Sequence, residues 1–118
     1  MAKRVLHVVT NVDRIGEAEH PTGLWLSELT HAWHVFEEAG FEQLLVSPTG
    51  GAVPLDPRSL SFPALEATAK AWQADPARIA LLRRTAAPAQ IDAGDFDAIL
   101  YAGGHGAMVD LPHDAGLQ

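Results

Sequence analysis

The sequence predicts an α/β fold built on a parallel sheet, and three observations carry that prediction. Short apolar runs alternate with segments of helical spacing, in the order β-α-β, an excursion, then α-α-β. The run Val5-Leu6-His7-Val8-Val9 is β-branched and nearly continuous, as expected of a central parallel strand. A later run, Ala98 to Ala102, reads as a buried strand and empties into Gly103-Gly104-His105-Gly106. Open α/β sheets place binding sites at such strand-to-turn junctions.

The elements follow in order. Thr10-Asn11-Val12-Asp13 ends the first strand with turn formers, and Arg14 to Pro21 is polar and expected as an exposed loop. Leu29, Trp33 and Phe36 fall at helical spacing, with Ser27 or Thr30 as the cap and Gly40 as the C-terminal glycine. Gln43 to Ser47 is the second strand, and the prolines at 54 and 57 predict an irregular excursion. Pro63 to Trp72 reads as a second helix. Asp75 caps a short third helix with Pro76 at its first position, and Ile79 and Leu82 share one side of it. A linker from Ala86 to Gly94 leads to the third strand. Three strands leave a raw edge and an incompletely covered face. The expectation is therefore a front portion of a larger domain, or a chain that pairs with another.

Composition narrows the function. The 118 residues allow one domain, and 47% hydrophobic residues suffice for a core. The net charge of −7, without a basic stripe, argues against nucleic acid and anionic membranes as partners. There are 0 cysteines, which excludes disulfides, thiolate metal sites and a thiol nucleophile within these residues. The apolar run near the N-terminus is too short for a signal peptide, so a cytoplasmic location is expected.

Three groups of residues are candidates for chemistry. Backbone N–H groups of a glycine turn at Gly103, Gly104 and His105 can converge on a developing oxyanion, or the turn is simply tight. Glu28 stands near the start of a helix, on the same sheet edge as that turn. Set among apolar neighbours such as Trp25 it would suit proton transfer; otherwise it is an exposed first-turn glutamate favoured by the helix dipole. Glu28, His31 and His34 are spaced three apart, which allows a metal site, against ordinary half-exposed helix residues. His7 is expected in the core or strand ladder.

Taken together, Val5 to Thr10, Thr22-Gly23-Leu24-Trp25-Leu26-Ser27-Glu28, the Ala39 to Gly51 stretch with Pro54-Leu55-Asp56-Pro57, and Asp95 through Ala107 resemble the ThiJ/PfpI superfamily of class I glutamine amidotransferase-like proteins. The likeness is greatest to the branch that includes heat-shock chaperones with glutathione-independent glyoxalase III activity. It covers nearly the whole chain and implies a flavodoxin-like sheet with helices on both faces. It implies that 1–118 is the N-terminal portion of one such domain, without the nucleophile-elbow half. By resemblance, Glu28 matches the glutamate that shares a proton with the nucleophile, Gly103 and Gly104 match the oxyanion turn, and His105 lies in the site wall. The family nucleophile is a cysteine followed by a histidine after the next strand, and this sequence ends before that strand.

The implied activity is conversion of methylglyoxal to lactate without a cofactor (glyoxalase III or D-lactate dehydratase), or a related hydrolase-chaperone function. The chain alone is expected to be inactive unless another chain completes it. The implied partners are a small reactive aldehyde and either a second copy or a complementary C-terminal chain. The alternative is a shortened, non-catalytic homologue acting as a chaperone-like or interaction module.

Overall fold

Arg4–Val8, which carries Val5, Leu6 and Val8 beside the buried His7, forms β1, the middle strand of a three-stranded sheet. The computed structural model describes residues 3–12, 14–15, 20–21, 23–61 and 65–102. β4 (Glu42–Val46) and β5 (Ala98–Tyr101) flank β1 in parallel, giving the order β4-β1-β5. Leu6 lies level with Leu44 on one side and Ile99 on the other, and Val8 with Val46 and Tyr101. The chain thus runs from the centre to one edge and returns to the opposite edge. That reversal beside β1 is a topological switch point, and it opens at the carboxyl ends of β1 and β5.

Between β1 and α1, Arg14–Ile15 (β2) and His20–Pro21 (β3) pair as a short antiparallel ribbon. An exposed loop without regular pairing was expected there. α1 spans Leu26–Glu38, α2 Ala67–Gln73 and α3 Pro76–Arg83. α2 is shorter than its apolar spacing predicts, because Leu65 and Glu66 remain outside the helix and Glu66 takes the extended N-cap conformation. The expected cap of α3 is present, with the Asp75 carboxylate accepting from Ala77 N–H at 3.0 Å and Pro76 at the first turn.

Strand alternation sends Val9 and Leu45 to the helical face, where they join Leu29, Trp33, Trp72 and Leu82 in the main core. The C-terminus of α1 closes as its glycine predicts. Gly40 takes φ +80, its N–H bonds to Glu37 O, and Phe41 N–H reaches Phe36 O at 3.0 Å. The Phe36 and Phe41 rings meet at 5.3 Å, so the turn has the backbone bonds and apolar contact of a Schellman ending.

The opposite sheet face is only partly covered. Leu6, Val8 and Val46 pack under Ile91 and Phe96, which ride on two 3₁₀ turns, Pro88–Gln90 and Ala93–Asp95. Ile99 and Tyr101 remain 43% and 57% exposed. β5 is therefore not the buried strand its apolar run predicts: among the described residues its second face is covered only in part.

His7 belongs to the core, as expected. It is buried, lies 5.3 Å from the Trp33 ring, and bonds through Nε2 to Gln43 Oε1 at 2.7 Å. The Gln43 amide nitrogen donates to Trp33 O at 3.0 Å, so its oxygen is left to accept from a neutral Nε2–H imidazole. Burial holds the His7 pKa below its ordinary 6.5, with the Gln43 bond opposing in part. The unfolded chain then binds a proton at higher pH than the folded one. This contribution to stability is complete above pH 6.5 and is lost as pH falls through the lower folded value. Urea midpoints measured from pH 7.5 down to 5 should fall for the wild type and run flatter for His7→Phe. Parallel slopes would remove His7 as the cause.

Candidate active site

The carboxyl edge of the sheet is tied by side chains that follow each strand. Asn11, just past β1, donates through Nδ2 to Ser47 Oγ at 3.1 Å and accepts from Thr49 N–H at 2.7 Å. The Ser47 and Thr85 hydroxyls bond at 2.6 Å, and Thr85 Oγ1 donates to Gly51 O at 2.7 Å. On the other side of β1, Ala102 N–H donates to Val8 O at 2.9 Å. The backbone leaving β5 therefore starts beside the backbone leaving β1. Gly103, Gly104 and His105 come next in sequence and lie outside the described residues.

Glu28 sits in the first turn of α1, and its N–H bonds to Trp25 O at 3.0 Å. Its side chain is exposed and lines an open concavity of ≈300 Å³ with Ser27, His31, Ala32 and Glu66. Among the described residues, the concavity around it is lined by polar side chains and Ala32 and not by Trp25. The Trp25 ring instead faces the Arg58 guanidinium, 6.0 Å from its centroid. Its place in the first turn is one that a helix N-terminus favours for a negative charge.

His31 and His34 turn to separate carboxylates. His31 Nδ1 is 4.0 Å from Glu66, and His34 Nε2 is 3.2 Å from Glu38. Among the described residues no three His, Asp or Glu side chains gather where they could hold a metal ion. Further along the helix, Arg78 Nη2 donates to both Glu37 oxygens, at 2.8 and 3.0 Å, tying α3 to α1. That hydrogen bond holds the Glu37 carboxyl below its usual range.

Sequence reasoning missed the segment that shapes the start of α1. Neither expected cap, Ser27 or Thr30, serves: the helix begins earlier, at Leu26, and its N-cap residue Trp25 offers no side-chain bond. The excursion supplies one. Leu24 N–H donates to Pro54 O at 2.8 Å and Asp56 N–H to Leu24 O at 2.9 Å, pairing Leu24 with Leu55. Behind this pair, Pro57–Leu60 forms a 3₁₀ turn, and Ser59 Oγ accepts from Leu26 N–H at 3.2 Å. Asp56 is fully buried; its Oδ1 takes the Arg58 N–H at 2.9 Å and its Oδ2 takes Arg58 Nη2 at 2.7 Å.

Sheet order, helix placement and the open carboxyl edge define half of a flavodoxin-like α/β fold. Comparison with known proteins gives that fold its relatives. No family profile matches the chain. In sequence it is 36% identical over 99 residues to the glutathione-independent glyoxalase hsp3101 of Schizosaccharomyces pombe, a match covering 82% of this chain and 40% of that protein. In structure it matches the rapid encystment protein REP24 of Francisella tularensis with a TM-score of 0.88 and 34% identity, over 97% of this chain and 50% of that one. The fold also matches glyoxalase III of Candida albicans, with a TM-score of 0.84 and 24% identity, over 98% and 49%. The resemblance to the ThiJ/PfpI superfamily is thereby borne out. The chain spans about half the length of these relatives.

Proposed function

We propose that this chain supplies the N-terminal portion of a cofactor-independent glyoxalase-type site, completed by a cysteine-bearing second part. The observation that supports this most is its 36% identity to a glutathione-independent glyoxalase. The parallel strand order supports it too, because a helix that follows a parallel strand starts near the carboxyl edge at which β5 also ends.

In this reading the thiolate of the completing part adds to the aldehyde carbon of methylglyoxal and forms a hemithioacetal. Glu28 removes the proton from that carbon and returns it to the neighbouring carbon, leaving a thioester. Water hydrolyses the thioester, releasing lactate and restoring the thiol, so the net reaction is addition of one water. Backbone N–H groups of Gly103 and Gly104 stabilise the developing oxyanion, and His105 lines the wall beside them. Covering Glu28 from water is the completing part's task, because its concavity is open in this chain.

The test is purification from the native source, intact mass measurement and assay of lactate formation. A longer form or a cysteine-containing partner should be present. It should make lactate from methylglyoxal without added cofactor, and Glu28→Gln should lower kcat about 10²-fold or more. The 118-residue chain alone should be inert. A second reading, the non-catalytic interaction module, is favoured by the open sheet face with Ile99 and Tyr101. It is the reading left standing if no partner or longer form is found and Glu28→Gln changes nothing.

A further inference from the structure

α1 begins without a capping side chain of its own. The first four N–H groups of a helix have no partner within it, and the first turn frays unless something outside accepts from them. Here the acceptor comes from 33 residues further along the chain: Ser59 Oγ takes the Leu26 N–H. That hydroxyl is fully buried and has both of its roles assigned. It accepts from Leu26 and donates to Asp56 O at 2.7 Å, so its orientation is fixed by the turn it stands on. The turn is held in its own right by the buried Asp56 carboxylate, which grips Arg58 through backbone and side chain. Ser59 N–H closes it on Asp56 O at 3.0 Å. The Leu24–Leu55 pair anchors the same excursion on the near side of Trp25.

We infer that Ser59, set by the Asp56–Arg58 turn, is a positioning residue: it caps α1 from outside and thereby fixes the first turn that carries Glu28. The excursion is a splint for the site and not merely a connection between β4 and α2. Leu26 is the first residue of α1, and Glu28 is two residues on, inside the same turn. When the cap is lost, the first turn frays and the backbone bearing Glu28 samples a wider range of positions, held only by its own N–H bond to Trp25 O. The consequence for proton transfer rests on the proposed function; the cap itself does not.

The experiment uses the labelled 118-residue chain and reads amide exchange at Leu26 together with the rotamer-sensitive side-chain couplings of Glu28 by NMR. Ser59→Ala should speed Leu26 exchange about fivefold or more, the size expected for a lost N-cap. The Glu28 couplings should move toward averaged values, and amides in the middle of α1 should stay as in the wild type. Ser59→Thr, which keeps the hydroxyl, should restore both signals. Unchanged Leu26 exchange in Ser59→Ala overturns the inference, as does an increase shared equally by all of α1. Should Ser59→Ala fail to fold, the wild type decides: a protected Leu26 amide sustains the cap and an unprotected one overturns it. None of these signals needs aldehyde or the completing part, so a failed glyoxalase assay leaves the cap intact, and a failed cap leaves that assay to stand alone.

Discussion

Gly23→Ala is expected to destabilise the chain by about 3 kcal/mol, near the upper end for a single substitution. Two independent costs combine. Gly23 has φ +152, a backbone region that side-chain-bearing residues rarely adopt. A Cβ there would stand 2.5 Å from Pro54 O and 2.7 Å from Pro54 C, both backbone atoms that cannot swing aside. The excursion would have to withdraw, breaking the Leu24–Pro54 and Asp56–Leu24 hydrogen bonds and carrying Ser59 away from Leu26. Urea unfolding measures the stability loss, and Leu26 amide exchange should rise with it. Gly40→Ala is the control. Gly40 also has positive φ, at +80, but nothing lies within 4 Å of an added Cβ. That substitution should cost only the left-handed backbone term, about 1–2 kcal/mol. Equal losses for the two variants would mean that close approach of the excursion is not what Gly23 secures.

The contrast between two aspartates explains what was legible in the sequence. Asp75-Pro76 stands before a helical run, and the cap with proline in the first turn was readable as such. Asp56-Pro57 is the same signal, and here too the aspartate side chain accepts from the residue two on. It does not stand out in the sequence, because only a 3₁₀ turn of four residues follows, too short for hydrophobic periodicity to show. The Ser59 cap was illegible for a different reason: its partner is 33 residues away, and no local pattern encodes that contact. The parallel sheet and the Gly40 ending are legible because alternation of strands with helices and a glycine after the last turn are local signals. The exposure of Ile99 and Tyr101 was not, because an apolar run predicts burial without saying what buries it. Glu28 was located correctly in the first turn of α1, whereas its surroundings depended on Glu66 and the direction of Trp25, both set by tertiary packing.

Trp33→Ala should have the other large effect, a loss of about 3–5 kcal/mol. The Trp33 side chain joins α1 to both the sheet and α2. Its ring lies 5.3 Å from His7 on β1 and meets Trp72 of α2 edge-on at 5.4 Å, while its carbonyl accepts from Gln43 on β4. Two ring contacts, one to the sheet and one to α2, therefore pass through one side chain that is 9% exposed, and truncation removes both while the carbonyl bond to Gln43 remains. Truncation leaves a cavity bounded by a neutral imidazole and an indole, neither of which can shift without giving up its own partner. A domain with a total stability of about 5–15 kcal/mol has little margin for such a loss. The urea midpoint should fall steeply, and the acid sensitivity arising from His7 should shrink, because water entering the cavity hydrates the imidazolium and relieves the burial that keeps the ring neutral. Val35→Ala, on the exposed side of the same helix at 51% exposure, should stay within about 0.5 kcal/mol of the wild type. If Trp33→Ala lowers stability yet leaves the slope of stability between pH 7.5 and 5 unchanged, Trp33 does not set the environment of His7, and the burial of that ring must come from β4 and Phe36.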